Sequence, residues 1–282
     1  ADWLIEVLRG HHPFGAEAID ESWGGEPNHP EHPSLVKLAM GIAIRLYPDP
    51  KDHLFAMRLP SAIIFGLSLT MIYLLGRRAW GTWPGLAAAV IYAAMPRIFG
   101  HAHFASFETP LIFVTLLVVL CYLRGLDSPL WAFFTGAAFG LALATKINAF
   151  FLPVPLILWS QLYARRRYVN NLFAMLTVGP LTMLLVWPWL WPAPVDRLLA
   201  YLQFHAQHQL TSLYFMHKLW GYGSPNAPWF YPLVTIAVTV PLLSLALILA
   251  GALKTALKAP RPRSVALVKK APTPSAPSRA TR

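Results

Sequence analysis

The sequence predicts an all-α polytopic membrane protein with about seven transmembrane helices, and three observations support this class. Hydrophobic residues make up 56% of the 282-residue chain and charged residues only 12%, whereas soluble domains usually carry about 25% charged residues. Apolar runs of about 20 residues, the length that crosses a bilayer, recur along the chain. The basic residues gather at the ends of these runs, which is typical of membrane topology and argues against nucleic-acid binding.

The polar stretch of residues 1–53 is predicted to be a first outer loop that carries helices at the membrane interface. Apolar side chains recur at helical spacing in residues 3–8, which favours a short helix. Residues 10–33 are rich in Gly, Pro and His and are predicted to be loop. Residues 34–47 have one apolar face, with Lys37 and Arg45 off it, so we expect an amphipathic helix on the membrane surface.

The apolar segments that follow are predicted to be transmembrane helices. Residues 192–228 interrupt them with a polar, aromatic second outer loop, in which an interfacial amphipathic helix over 195–215 is expected. The predicted membrane domain covers residues 1–253, and the Pro-, Ala- and basic-rich residues 254–282 are predicted to form a disordered cytoplasmic tail. The seven predicted spans are residues 54–76, 85–99, 109–123, 130–145, 147–163, 169–191 and 229–253.

The distribution of charge predicts the orientation of these spans. With the first loop facing outward, the inner segments hold 14 of the 23 Lys and Arg residues and only one of the 12 Asp and Glu residues. This bias fits the excess of basic residues in cytoplasmic loops. We therefore expect an integral membrane protein, with residues 101–108, Lys146 and both outer loops on the outward face.

Glu108 is the first candidate for chemistry because it is an acid at the mouth of an apolar span, in the segment HAHFASFETP. Ionisable groups at such positions are costly unless they face protein or water, so they often mark function. A catalytic or metal-binding role is one interpretation. The alternative is an acid that merely favours the start of a helix through the helix dipole.

Two histidines and a lysine are expected on the same face. His101 and His103 are two residues apart, which is a weak spacing for a metal pair, so hydrogen bonding at the membrane surface is the preferred role. Lys146 lies in ATKIN at the outer end of a span. Its ammonium group could hold a phosphate as a point charge or could extend to the lipid headgroups.

Other candidates lie in the two outer loops. Glu31, His32 and Lys37 surround the start of a predicted helix, where an interfacial helix with a structural cap is the simpler explanation. His205 and His208 lie in the second loop among aromatic residues. That loop could bind a sugar or a lipid headgroup, or these residues could belong to an interfacial helix with no ligand.

Several classes of site are missing from the sequence. It has no glycine-rich phosphate loop, no Cys/His zinc pattern and no nucleophile elbow. Its single cysteine, Cys121, excludes a disulfide framework. A transporter would more often show charged or broken helices in paired halves, whereas most acids here gather on one predicted face.

Six motifs, taken in their order and spacing, resemble the polytopic C-type (GT-C) glycosyltransferases. The resemblance covers about residues 26–241 and is to the protein O-mannosyltransferase and aminoarabinose transferase group, glycosyltransferase family 39 and its bacterial relatives. The motifs are EHPSLVK, MRLPSAIIFG, LLGRRAWG, GHAHFASFETP, GLALATKINAFFLP and PWFYPL.

The resemblance implies a GT-C-like transmembrane domain that moves a sugar from a polyprenyl-phosphate carrier to a hydroxyl acceptor on the extracytoplasmic side, with inversion. Glu108 matches the loop that supplies an acid in this family. His32-Pro33-Ser34, followed by Lys37, matches an HPP-type motif, and Thr145-Lys146 matches the motif near the carrier phosphate. Lys37, Arg58 or a loop histidine would assist Lys146 there, and the partners would be the lipid-linked sugar, membrane lipid and the acceptor. The membrane implied by the bacterial relatives is a bacterial inner (plasma) membrane.

The chain also departs from the family pattern. Ser34 replaces the second proline, and the Asp-Glu that usually supplies the base would fall before Ala1, so we expect this chain to be part of a longer protein. Asp20, followed by Glu21, imitates that motif and is a weaker candidate for the base. The alternatives are a transporter or flippase of lipid-linked sugars and an inactive paralogue or fragment. The resemblance requires no cofactor and leaves a divalent metal open.

Overall fold

A computed structural model describes residues 2–11, 14–24, 32–207, 213–220 and 227–257. These residues form helices joined by short turns, together with one two-stranded hairpin. The helices are α1 Asp2–Leu8, α2 Ala16–Trp23, α3 Ser34–Leu46, α4 His53–Trp80, α5 Thr82–Ala93, α6 Pro96–Ala102, α7 Glu108–Gly125, α8 Pro129–Leu143, α9 Pro153–Tyr163, α10 Val169–Val186, α11 Pro194–Gln207, α12 Tyr231–Thr239 and α13 Leu242–Leu257. The strands are β1 Leu213–Phe215 and β2 Lys218–Trp220, and single 3₁₀ turns cover Pro50–Asp52, Ile147–Phe151, Arg165–Tyr168 and Pro188–Leu190.

The protein is an integral membrane protein, and the predicted all-α polytopic class is confirmed. Within the described ranges, α4 with its preceding turn, α7 and α10 are each long and apolar enough to cross a bilayer. The bent pair α12 and α13 passes the same test as one unit. Three further apolar helices, Thr82–Ala93, Pro129–Leu143 and Ile147–Leu162, are shorter. These elements coincide with the seven predicted spans, but the count of seven stays a prediction.

Prolines break two of the predicted spans. The span over residues 85–99 is divided at Met95, which is extended (φ −72°, ψ 113°) and is followed by the first residue of α6, Pro96. The span over 229–253 bends by 115° between α12 and α13, where Val240 is extended before Pro241. Proline disfavours the helical conformation in the residue before it, which explains both corrections.

The predicted loop over residues 10–33 contains a helix, and this expectation was wrong. Helix α2 lies between Gly15 and Gly24 and places Ile19 and Trp23 one turn apart. Both side chains are buried against Trp3 of α1. Two turns of helix are stable here because they bury this apolar pair. The glycine-rich flanking residues made the segment resemble a loop in the sequence.

The second outer loop and the C-terminal segment also differ from expectation. Helix α11 confirms a helix in the first part of the predicted range, 195–215. The last residues of that range, Leu213–Phe215, form strand β1 instead. Strands β1 and β2 are joined by Met216 and His217, which have φ of 51° and 61° as a two-residue hairpin turn requires. Helix α13 runs past the predicted boundary at residue 254 to Leu257, and residues 258–282 of the predicted tail lie outside the described residues.

Helices α7, α8 and α10 form the packed centre of the bundle. Gly136 and Gly140, one turn apart on α8, face α10 so closely that a Cβ on either would overlap a carbonyl oxygen, that of Ala174 or of Gly179. Small residues at such crossings let helix backbones approach in a membrane, where water does not drive the helices together. The two glycines therefore determine how closely α8 and α10 pack against each other.

Buried polar side chains join the same helices near the end of α7. Asn171 of α10 donates from Nδ2 to the carbonyl oxygen of Tyr122 (3.0 Å) and accepts from Thr135 of α8 (3.2 Å). The Tyr122 hydroxyl lies 2.6 Å from Ser160 Oγ on α9. Each of these groups is buried with a partner, which avoids the cost of an unpaired polar group in an apolar environment.

Two ends of the bundle can be distinguished. Arg58, early in α4, lies 5.8 Å from the ring of Phe104, just before α7. The last turns of α4 and α7 line one cavity together, so these two helices run in the same direction. Their starts define what we term the Glu108 end, and their last turns define the arginine end, which carries Arg78 and Arg124.

Replacing Gly136 by alanine should destabilise the protein because the new methyl group would overlap the Ala174 backbone. Overpacking of this kind costs about 1–3 kcal/mol. Thermal unfolding in detergent, followed by circular dichroism, measures the effect. The matched control is Gly66→Ala on α4, where a Cβ meets nothing within 4 Å, so that helix should be unchanged or slightly more stable. Equal unfolding temperatures for both variants would contradict the close α8–α10 contact.

Candidate functional site

Glu108 and Lys146 form an ion pair at the Glu108 end of the bundle. The Lys146 ammonium group donates a hydrogen bond of 2.8 Å to Oε1 of Glu108. Glu108 is the first residue of α7, and Lys146 follows the end of α8 in an extended conformation (φ −161°, ψ 148°). Because α7 and α8 are adjacent antiparallel helices, the start of one and the end of the other meet.

The pair is accessible to water. The side chains of Glu108 and Lys146 are 39% and 31% exposed. An ion pair at this exposure is screened by solvent and contributes little to stability. The two charges are therefore available to a ligand that competes for either of them.

His101 lies on the other side of Glu108. Its Nδ1 is 3.9 Å from Glu108 Oε2, which is too long for a hydrogen bond. That nitrogen is buried and has no hydrogen-bond partner among the described residues. The backbone near it is held by Ser106, whose hydroxyl donates to the His101 carbonyl oxygen (3.2 Å). Glu108 thus has a lysine ammonium at one oxygen and an imidazole near the other.

The start of α3 docks beside this pair. The Leu35 amide donates to the carbonyl oxygen of Ala144 (3.1 Å), two residues before Lys146. The Ser34 hydroxyl donates to the carbonyl oxygen of Val186, the last residue of α10. The His32 ring lies 4.9 Å from that of Phe107, the residue before Glu108. The structure therefore brings His32 close to Glu108 and Lys146, while Glu31 lies outside the described residues.

The other predicted phosphate-binding residues are more peripheral. Lys37 lies in the first turn of α3 and is half-buried. Arg58 is exposed over the Phe104 ring. His103 is exposed, donates from Nδ1 to the Phe99 carbonyl oxygen (2.7 Å) and packs on the Phe99 ring. These three side chains surround the Glu108 end without a described contact to Glu108.

Asp20 is engaged in a different ion pair. Its two carboxylate oxygens lie 2.7 Å and 2.9 Å from the guanidinium of Arg197 on α11. Arg197 also donates to the Trp189 carbonyl (2.8 Å) and lies over the Trp189 ring. This fork joins the first outer loop to the second. A base role for Asp20 stays a prediction and would require the pair to open.

An aromatic cluster continues from the end of α10. Trp187, next to the carbonyl that holds Ser34, packs edge-on against Tyr201 of α11 at 5.0 Å. His205 packs against Tyr201 and contacts its carbonyl oxygen through Nδ1 (2.9 Å). Burial raises the pKa of the Tyr201 hydroxyl, so this group stays neutral at physiological pH. His208 lies outside the described residues.

No three His, Cys, Asp or Glu side chains in the described ranges lie close enough to hold a metal ion. The residues that the sequence did not single out are Ser34 as an anchor, Tyr201 and Arg197. Their contacts span long separations, 177 residues between Asp20 and Arg197 and 152 between Ser34 and Val186. The helical pattern of residues 195–215 placed Tyr201 and Arg197 on a helix but gave no sign of their partners.

Comparisons with known proteins find a family and several curated relatives that are similar to this chain. The family described as dolichyl-phosphate-mannose-protein mannosyltransferase matches residues 31–191, which include His32, Glu108 and Lys146 but neither Asp20 nor His205. The chain is 30% identical over 146 residues to an undecaprenyl phosphate-alpha-4-amino-4-deoxy-L-arabinose arabinosyl transferase of Pseudomonas aeruginosa strain LESB58, covering 48% of this chain and 26% of the relative. A transferase of the same description, numbered 1, from Pseudomonas fluorescens strain Pf0-1 is 32% identical over 125 residues, or 41% of this chain and 22% of the relative.

The chain spans about a quarter of the length of the curated relatives it matches. No solved structure matches it.

The Asp20–Arg197 fork predicts coupling between the two outer loops. Asp20→Asn and Arg197→Gln should each lower the unfolding temperature in detergent, and the double variant should lose less than the sum of the two. Bidentate surface pairs of this kind couple by about 1 kcal/mol or less. Arg197→Gln should cost more than Asp20→Asn because it also removes the contacts with Trp189. Strictly additive effects would show that the two side chains do not interact.

Proposed function

Because the chain belongs to the dolichyl-phosphate-mannose-protein mannosyltransferase family, we propose that it acts as a membrane glycosyltransferase. The family match covers residues 31–191, more than half of the chain. The proposed reaction moves a sugar from a polyprenyl-phosphate carrier to a hydroxyl acceptor, with inversion. The observation that carries this proposal is the water-accessible pair of Glu108 and Lys146 at one end of the bundle. A carboxylate and a cation side by side are the two groups that such a transfer needs.

Lys146 is the proposed anchor for the carrier phosphate. Its ammonium group is a compact point charge with three donors, which suits a phosphate that arrives from the membrane. His32, Lys37, Arg58, His101 and His103 surround the Glu108 end and would add positive charge or donors. The curated relatives are named for an undecaprenyl-phosphate sugar donor, which supports a lipid-linked sugar as the partner.

Glu108 is the proposed base. Its carboxylate accepts a hydrogen bond from Lys146, and a carrier phosphate at Lys146 would compete for the same ammonium donors. The released carboxylate would take the proton from the acceptor hydroxyl, and the acceptor oxygen would attack the anomeric carbon. The bond from that carbon to the phosphate oxygen breaks, and its electron pair passes to the phosphate beside Lys146. Binding of the donor would thus free the base.

The two ends of the bundle suggest where the reaction takes place. Arg78, Arg124 and the Arg167–Asp127 ion pair lie at the arginine end, which would face the cytoplasm of a bacterial inner membrane. The Glu108 end would then face outward. The Trp187–Tyr201–His205 cluster, with His208, would contact the sugar or the acceptor, since aromatic faces with a polar edge suit both. None of the proposed steps uses a cofactor or a metal.

A transporter or flippase of lipid-linked sugars is the second candidate. A flippase would place charged groups along a path through the membrane, whereas Glu108 and Lys146 lie at helix ends. An inactive paralogue or fragment would keep the pair but transfer nothing. A transfer assay and a lipid-translocation assay on the same membranes separate the three alternatives.

Glu108→Gln should slow sugar transfer by about 100-fold or more, since general bases contribute about 10² to 10⁴ to rates. The measurement uses membranes from cells that express the gene encoding this chain, supplied with labelled polyprenyl-phosphate sugars and a membrane acceptor extract. The matched control is Glu17→Gln on the exposed face of α2, which should leave the rate unchanged. Transfer by Glu108→Gln at the parental rate would exclude Glu108 as the base.

Lys146→Gln should weaken binding of the polyprenyl-phosphate sugar donor. Its loss removes the point charge for the phosphate, so the KM for the labelled carrier should rise and the rate at saturation should fall. Lys254→Gln on the exposed face of α13 is the control. An unchanged KM in Lys146→Gln would place the phosphate elsewhere.

A further inference from the structure

A cavity of about 430 Å³ lies at the arginine end of the bundle, between the last turns of α4 and α7 and the flank of α9. Helix α7 has 18 residues, so its two ends are about 27 Å apart at 1.5 Å per residue. The cavity is therefore far from the Glu108–Lys146 pair and takes no part in the chemistry proposed above. Its volume lies in the range of small-molecule sites, about 300–1,000 Å³.

The wall of this cavity is apolar. Leucine and valine side chains of α4, α7 and α9 supply five of its eleven lining residues, and the Trp159 ring adds an aromatic surface. Tyr122 also lines it, but its hydroxyl is satisfied by Ser160 (2.6 Å) and the Leu156 carbonyl (3.3 Å). An occupant would therefore find no unpaired Tyr122 hydroxyl and would make van der Waals contacts along this wall.

The charged side chains that line the cavity are Arg78 and Arg124, with no acid among the lining residues. Arg78 is exposed, and Arg124 is half-buried with its guanidinium 4.3 Å from the Trp131 ring. The Trp80 ring, also at the cavity, is 78% exposed. Tryptophan is enriched at the level of the lipid headgroups, so an arginine rim beside Trp80 would lie at the level of the lipid phosphates.

We propose that this cavity binds an anionic phospholipid of the adjacent leaflet, with an acyl chain against the apolar wall and the phosphate at Arg78 and Arg124. An apolar wall with two cations at its rim complements a molecule that has a hydrocarbon tail and a negative head. Basic pockets between transmembrane helices on the cytoplasmic side bind anionic headgroups in this way. The site lies at the opposite end of the bundle from Glu108 and Lys146, and its lining residues include no acid.

The test is native mass spectrometry of the purified protein, released from detergent after titration with phosphatidylglycerol. One lipid adduct should persist, with phosphatidylcholine of the same acyl chains binding more weakly. Arg78→Gln and Arg124→Gln should each weaken phosphatidylglycerol binding about fivefold, the effect of one basic residue near an anionic lipid. The matched control Arg97→Gln, on exposed α6 away from the cavity, should bind as the parent does.

A second variant tests the apolar wall. Leu120→Trp would fill the cavity and should abolish the persistent adduct, while Leu181→Trp, on an exposed position of α10, should not. Gel filtration and the unfolding temperature verify that each variant is folded; should Leu120→Trp not fold, the arginine variants decide. Equal binding of the two phospholipids, or binding unaffected by both arginine substitutions, would overturn the proposal. So would an arginine-dependent adduct with undecaprenyl phosphate in place of phosphatidylglycerol, because it would assign the cavity to the sugar carrier.

Discussion

The close approach of α8 and α10 at Gly136 and Gly140 is the contact on which the candidate site depends. This contact fixes the position of α8 relative to α10. The C-terminal end of each helix contributes to the site. Lys146 lies three residues after the end of α8 and pairs with Glu108. The last carbonyl of α10, that of Val186, holds Ser34 and with it the start of α3. A shift of one helix along the other would move the lysine and the His32 segment apart, so the geometry of the candidate site follows from the packing of the helix backbones.

The Glu108–Lys146 pair shows how two opposite charges can be held at one end of an apolar bundle. Each charge is partly exposed and is neutralised by the other, which limits the cost of holding ions beside hydrocarbon. His101 adds a third group that stands too far away for a hydrogen bond. A small movement of the Glu108 carboxylate would exchange one partner for the other, so the site can change its pairing without any change in the helices.

The sequence was sufficient for the class of fold and for placing Glu108 and Lys146 at the same end of the bundle, but it did not predict their ion pair. Both follow from hydrophobic length and from the alternation of helix direction, which are local properties. It could not predict the Asp20–Arg197 fork, because the pairing of two loops depends on how the helices between them pack. It also missed α2, since two turns of helix are stable there only through the burial of Ile19 and Trp23. The breaks at Met95 and Val240 follow from the prolines after them, but an apolar run conceals such breaks from a count of length.

The place of Glu108 at the first residue of α7 has a consequence for selectivity. A helix start attracts anions through its free amide groups and its dipole, and Lys146 strengthens that field. The Glu108 carboxylate itself lies at this helix start and acts as a covalently attached counter-ion of Lys146. Its effective concentration there exceeds that of any dissolved anion. Chloride or inorganic phosphate would gain little by displacing it, whereas an anion concentrated in the bilayer by its own hydrocarbon tail would compete more effectively. The protein would in this way discriminate by where an anion resides rather than by its shape.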